Sequence, residues 1–220
     1  MLVKGIFDMR LRHISKALPT IEASPFVEHS PKECRGRWHQ CFQNDNPLHI
    51  EIGMGKGKFI TTLAQMNPDI SYIGIERADS VLFRALQKQE ELKLPNLKLL
   101  LLNADELSLI FDKGEVDRIY LNFSDPWPKD RHSERRLTSG RYLNIYRNIL
   151  APEGWIEFKT DNRALFDYSL EQAPLSGWQA ADVTYDLHNS EFAHSNIMTE
   201  YEERFSLEGN PICRAVFRLS

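Results

Sequence analysis

The sequence predicts an α/β domain. Its expected form is a mostly parallel, doubly wound sheet with an antiparallel strand added at the C-terminal edge and an N-terminal arm in front. Three observations carry this expectation. From His49 onward, short apolar runs alternate with segments of helical period, the pattern of parallel strands joined by right-handed crossovers. The first run closes in a glycine-rich turn, Gly53-Met54-Gly55-Lys56-Gly57, where a strand gives way to a helix. The tail alternates over Cys213–Leu219 with no full helix just before it, which suits an antiparallel addition.

The elements follow in order. Residues 1–47 show weak periodicity and four prolines (Pro19, Pro25, Pro31, Pro47), and read as an arm with one short helix. Residues 48–220 read as the single main domain. Strands are expected at His49–Gly53, Ser71–Glu76, Leu97–Asn103, Val116–Asn122 and Gly154–Thr160. Helices are expected at Lys58–Asn67, Ala78–Lys93, Ser139–Leu150 and Asn162–Ala173. Trp178–Asp186 and Cys213–Leu219 supply the late strands. There are no internal repeats or low-complexity tracts.

No apolar run approaches the ~20 residues of a membrane helix. The first residues show no apolar core of the signal-peptide kind. A cytoplasmic protein is expected, with no membrane partner. Three cysteines (Cys34, Cys41, Cys213) without a C-x-x-C pair indicate neither a disulfide framework nor a zinc site, and no metal is expected. The net charge of −4 argues against a nucleic-acid binder, which usually shows a basic footprint. Yet Lys129, Arg131, Arg135, Arg136 and Arg141 crowd one short stretch against two acidic residues, Asp130 and Glu134. A basic patch on an acidic body fits selective nucleic-acid binding.

In an open α/β sheet, ligands sit beyond the carboxyl ends of the strands at the switch point. Gly53, Gly55 and Gly57 let the backbone come close to a ligand there. Glu76 ends the second strand, where a carboxylate can accept ribose hydroxyls. The spacing is G-x-G-x-G, not the dinucleotide G-x-G-x-x-G, since Lys58 stands in place of the third dinucleotide glycine. Glu51 just before the turn would repel a pyrophosphate. It suits a cofactor with a cationic end, such as S-adenosylmethionine. Asn103, after the third strand, is placed to meet an adenine edge or to cap a turn. Asp105 reads as the cap of the short helix that follows.

The fourth strand runs into Ser124-Asp125-Pro126-Trp127-Pro128, whose prolines hold Asp125 and Trp127 at a strand end beside the first. Asp125 is the catalytic candidate. The run after it, Arg131, His132, Ser133, Glu134, Arg135 and Arg136, is placed to grip phosphates. Thr199-Glu200-Tyr201-Glu202 has capping-box spacing, and Asp161 stands where it can cap the helix after the fifth strand.

These stretches, in one order, strongly resemble the bacterial tRNA (guanine-N7-)-methyltransferase family. The resemblance rests on MRLRH (from Met9), NDNPLHIEIGMGKGKF, YIGIE, IYLNFSDPWPKDRHSERRL, FKTDN and MTEYEERF. It implies a Rossmann-like class I methyltransferase fold, S-adenosyl-L-methionine as cofactor and the variable-loop guanine of tRNA as target. It implies cofactor contacts at Glu51, Glu76, Asn103 and Asp125. Substrate contacts are implied at Lys129, Asp161, Thr199, Glu200, Tyr201 and Glu202, and RNA contacts at Arg131 to Arg136. Asn103 stands where the family commonly has aspartate, and residues 1–8 precede its usual start. Monomer and homodimer are both left open.

Three rival readings are separable. An exocyclic-amine methyltransferase carries [DNS]-P-P-[YFW], whereas this chain has one proline before the aromatic. A non-catalytic RNA-binding module would not bind the cofactor. A dinucleotide oxidoreductase conflicts with the glycine spacing and Glu51.

Overall fold

In a parallel sheet covered on both faces, strands read as continuous apolar runs. Five parallel strands form the frame of the computed structural model, which describes residues 14–206 and 208–220. They are β1 (Leu48–Ile52), β2 (Ser71–Glu76), β3 (Leu97–Leu101), β4 (Val116–Asn122) and β5 (Leu150–Thr160). Two further strands follow, β6 (Trp178–Thr184) and β7 (Cys213–Leu219). The order across the sheet is β3-β2-β1-β4-β5-β7-β6. The parallel strand β1 pairs with β2 on one side and β4 on the other, so the switch point lies between β1 and β4. The addition at the C-terminal edge is present: β7 runs antiparallel to both neighbours and slots between β5 and β6.

Alternate side chains feed two cores, one on each face. Ile50, Ile52, Ile73, Ile75, Ile119, Leu121 and Phe158 point into the first. It is closed by α2 (Trp38–Phe42), α5 (Leu107–Ile110), α6 (Gly140–Ile149) and α7 (Arg163–Leu175). Tyr72, Leu97, Leu99 and Tyr120 point into the second. It is closed by α1 (Ala17–Ala23), α3 (Lys58–Met66) and α4 (Asp79–Leu92). The last helix, α8 (Glu200–Ser206), precedes β7. Gln89, fully buried on α4, donates from its amide to the carbonyls of Leu94 and Leu97 and so fixes the turn into β3.

The described part of the arm, residues 14–47, carries more structure than the single short helix expected. It holds α1, α2 and a 3-10 turn at Pro31–Cys34. Ile21 and Trp38 are buried in opposite cores, each contributing on the order of 1.5–3 kcal/mol. The Trp38 indole donates to the Ile110 carbonyl at 2.8 Å. Val27 makes an isolated parallel bridge to Leu99, extending the sheet past β3. Prolines between brief elements hide this periodicity.

The cysteine expectation is corrected. Cys34 and Cys41 are paired as a disulfide, with Cα atoms 6.3 Å apart, while Cys213 is free and buried. The end of the 3-10 turn and the body of α2 bring the two cysteines to one side of a tight corner, a proximity that their sequence spacing does not announce.

Candidate active site

The glycine turn is built by backbone conformation. Gly53, Gly55 and Gly57 have φ of 77°, 60° and 81°, a region that side chains strongly disfavour. The amides of Gly53 and Met54 both donate to the Ile75 carbonyl, which folds the turn back over β2. The three glycines divide the work. A Cβ at Gly53 or Gly55 would meet nothing within 4 Å, so their bare backbone borders open space. A Cβ at Gly57 would lie 2.7 Å from that of Ala85, so this glycine serves the packing of the turn on α4 rather than approach to a ligand.

Glu76, at the end of β2, is tied into the same turn. Its carboxylate accepts from Gly55 N at 3.2 Å, Arg77 N at 2.8 Å and Ala78 N at 3.0 Å. Burial nonetheless pushes its pKa up against these hydrogen bonds.

Glu51 faces the second core at the end of β1, where it is 1% exposed. Its Oε1 accepts from Asn122 Nδ2 at 2.8 Å across the switch point. Its Oε2 has no partner among the described residues, and neither have Asn122 Oδ1 and Ser124 Oγ. Burial pushes the Glu51 carboxyl up to about 8, and the Asn122 hydrogen bond and the nearby Lys159 charge only partly offset it. A buried carboxylate oxygen left unpaired costs ~1–3 kcal/mol. A cationic ligand group relieves that cost, so these residues fit the ammonium end of S-adenosylmethionine.

Asn103, beyond the end of β3, is exposed. It accepts from Asp105 N at 3.2 Å and so caps the 3-10 turn Ala104–Glu106. The cap assigned to Asp105 is thereby corrected. The Asp105 carboxylate instead takes the Tyr142 hydroxyl at 2.6 Å and Arg141 at 2.9 Å.

The loop after β4 is strained. Phe123 and Trp127 have φ of 52° and 41°. Bulky residues there cost of order 1–3 kcal/mol each and persist only where surroundings impose them. Arg136 is one of those surroundings. It is buried, with Nε donating to the Pro126 carbonyl and Nη2 to that of Trp127, both at 3.1 Å, and it lies 4.2 Å over the Tyr168 ring. Arg136 therefore braces the loop, and its guanidinium is not presented with the rest of the basic run. Asp125 is exposed at the loop tip and pairs with Arg77 at 3.3 Å. Lys129, Arg131, Glu134 and Arg135 are exposed, and His132 and Ser133 half-buried, on and beside the 3-10 turn Asp130–Arg135. Arg135 and His132 flank the Trp127 ring at 5.0 and 5.8 Å.

Helix α8 spans both sides of this region. The Thr199 hydroxyl accepts from Glu202 N at 3.0 Å, which is half of a capping box. The other half is missing because Glu202 turns inward. Glu200 pairs with Lys88 and Glu203 with Lys58, tying α8 to α4 and α3. Tyr201 is 40% exposed. Its hydroxyl donates to Asp161 at 3.0 Å, and its ring lies 5.0 Å from Phe123 and 4.1 Å from Phe205. Asp161 does not take the α7 cap that its position allows; Asn162 does, accepting from Leu165 N at 2.8 Å.

Glu202 has no exposed surface, unlike Asp125, Lys129 and Tyr201. Its carboxylate meets Lys159 Nζ and His188 Nε2 at 2.8 Å and Asn196 Nδ2 at 2.6 Å. Burial alone would raise its pKa, but the Lys159 charge and these hydrogen bonds win and hold it below the usual value. Sequence reading missed Asn122, Lys159 and the bracing role of Arg136. The only available signal was a polar residue inside an apolar strand, as in LNF and FKT.

A doubly wound sheet whose first strand ends in a buried carboxylate and a G-x-G-x-G turn, with a strained acidic loop across the switch point, defines a class I methyltransferase. A family profile described as "Putative methyltransferase" matches residues 45–215. The tRNA (guanine-N(7)-)-methyltransferase of Lachnoclostridium phytofermentans is 59% identical over 94% of this chain and 97% of its own. That of Bacillus subtilis is 50% identical over 94% and 97%. The chain belongs to the tRNA (guanine-N(7)-)-methyltransferase family. Among solved structures, a 16S rRNA (adenine(1408)-N(1))-methyltransferase from Catenulisporales acidiphilia with its cosubstrate SAM superposes with a TM-score of 0.61. It is 12% identical, covering 88% of this chain and 92% of that one, a likeness of fold.

Proposed function

We propose that this protein methylates N7 of a variable-loop guanine in tRNA, using S-adenosyl-L-methionine. The observation that carries the reading is the buried oxygen of Glu51, without a partner among the described residues, at the switch point and one strand from the Asp125 loop. S-adenosyl-L-methionine, when bound, supplies an electrophilic methyl carbon. Glu51 would hold its ammonium, Glu76 its ribose hydroxyls and Asn103 its adenine edge.

Guanine N7 carries a lone pair and no proton, so no strong base is needed. The chain's main contribution is alignment, which can supply up to ~7–11 kcal/mol. Positive charge arrives on the guanine ring during transfer, and the fixed Asp125 carboxylate stabilises it. Asp125 or Asp161 accepts hydrogen bonds from guanine N1–H and its 2-amino group, selecting guanine over adenine. Lys129, Arg131 and Arg135 hold phosphates near the target and offset the few kcal/mol lost on unstacking it. The cytoplasm is the compartment proposed for this work.

The test is incubation with a labelled methyl donor and total tRNA, followed by digestion and mass spectrometry of the nucleosides. Label in 7-methylguanosine is expected. Label in any other nucleoside, or none, would reject the reading.

A further inference from the structure

Lys159 and Glu202 form a buried ion pair whose polar atoms are all hydrogen-bonded. Both side chains have no exposed surface. The three donors of Lys159 Nζ go to Glu202 Oε2 at 2.8 Å, and to Asn196 Oδ1 and the Ile197 carbonyl, each at 2.9 Å. Glu202 Oε1 is filled by Asn196 and His188. Nothing in this arrangement is left over for a ligand. Taking two charges out of water is expensive, and a pair that is also hydrogen-bonded all round commonly fixes geometry more than it adds stability.

Geometry is what this region needs. Helix α8 has seven residues, too few to hold a position by itself. Its pairs with Lys58 and Lys88 are partly exposed, and such pairs contribute little. The buried pair is therefore the anchor. From it, one residue back along the helix, Tyr201 reaches Asp161 and Phe123. Phe123 is itself tied to Lys159, its amide donating to the Lys159 carbonyl at 2.8 Å.

We propose that Glu202 and Lys159 are positioning residues and not substrate contacts: their ion pair docks α8 so that Tyr201, Asp161 and Phe123 form one platform for the planar base. This rests on the methyl-transfer reading above. Deleting either partner breaks the same anchor, so their effects on RNA handling must overlap.

The experiment is a double-mutant cycle with Glu202→Gln, Lys159→Met and the pair Lys159→Met/Glu202→Gln. It is measured well below each variant's Tm. The readouts are KM and kcat for tRNA, tRNA Kd by fluorescence anisotropy, and S-adenosyl-L-methionine Kd by calorimetry. Each single change is expected to raise tRNA KM and Kd about tenfold, and the pair to cost no more than either alone; cofactor Kd is expected to move far less in Glu202→Gln, which leaves the Lys159 charge near Glu51 in place. Because a lone buried charge can unfold the protein, His188→Ala and Asn196→Ala form a milder arm. Each removes part of the Glu202 shell, and each is expected to raise tRNA KM several-fold. Additive losses would mean that Glu202 touches RNA independently and would overturn the proposal. A lowered Tm with unchanged KM and Kd, in either arm, would show a purely structural pair and would also overturn it. If the wild-type protein methylates tRNA while the cycle is additive, only this inference fails. If the wild type neither methylates nor binds tRNA, the functional reading fails first.

Discussion

Asn122 Nδ2 donates to Glu51 at 2.8 Å, joining the two strands that bound the switch point, while the other oxygen of Glu51 stays buried and has no partner among the described residues. Glu51 thus costs stability until a cation arrives. Its pKa is about 8 in the fold against the ordinary 4.5. Between those values the folded state binds more protons than the unfolded state, so Glu51 lowers stability as pH rises through that window. Glu51→Gln should therefore melt higher than the wild type at pH 8 without ligand, and the gap should close toward pH 4.5. Cofactor binding has the opposite dependence, because the carboxyl must shed its proton to meet an ammonium. Affinity should improve with pH up to about 8, by at most about tenfold per unit, and the variant should show neither the slope nor tight binding. Melting curves and calorimetry across pH check both; a wild-type affinity flat from pH 6 to 8 would remove Glu51 from the cofactor site.

Asp125 offers a cleaner separation of chemistry from folding. It is 66% exposed, and its partner Arg77 is 62% exposed, so the pair contributes ~0–1 kcal/mol to stability. Asp125→Ala should leave Tm nearly unchanged and cofactor affinity measurable, yet abolish methyl transfer. Retained turnover in a single-turnover assay would exclude the proposed electrostatic role.

How far the sequence reveals this arrangement depends on whether a residue's job leaves a local pattern. The parallel strands do, because burial on both faces makes them mostly apolar: β2 and β4 end where periodicity places them. The early part of β5 does not, since Pro152 and Glu153 are exposed and break the run. The glycine turn and its flanking carboxylates are legible from spacing alone. Glu202 is not, because T-x-x-E reads the same whether the glutamate closes the cap or turns into the core. Arg136 hides for a related reason. In a run of charges, nothing local tells a solvated guanidinium from one locked onto two carbonyls. Trp38 shows the limit in the arm, where its burial depends on Ile110, 72 positions away.

Two of the turn glycines, Gly55 and Gly57, should respond differently to alanine. Gly57→Ala incurs both a left-handed backbone and a 2.7 Å approach to Ala85 Cβ. It should lose ~2 kcal/mol or more in urea melts. Gly55→Ala meets no neighbour within 4 Å and bears only the backbone cost, ~1–2 kcal/mol. Its methyl group, however, projects from the turn into open space, where the cofactor is proposed to lie. Gly55→Ala should therefore lose more cofactor affinity than stability, and Gly57→Ala the reverse. Equal losses in calorimetry and melts for the two variants would refute the division.

The basic run separates in the same manner, into residues that meet phosphates and one that does not. Lys129, Arg131 and Arg135 are exposed. Each phosphate contact removed by an alanine there should flatten the slope of log tRNA affinity against log salt by roughly one unit. Arg136 carries the same charge but is 9% exposed, with its donors on the Pro126 and Trp127 carbonyls. Its removal releases counterions from no phosphate, so the slope should stay as in the wild type. What it releases is the loop: Phe123 and Trp127 can leave their strained conformations, and Asp125 loses its fixed place. Arg136→Ala should therefore depress kcat far more than it weakens tRNA binding, and Arg136→Lys should not restore it, since an ammonium cannot reproduce the two-nitrogen geometry. Titrations over a salt series set beside single-turnover rates decide the matter; a slope reduced in Arg136→Ala as in Arg135→Ala would return Arg136 to the RNA face.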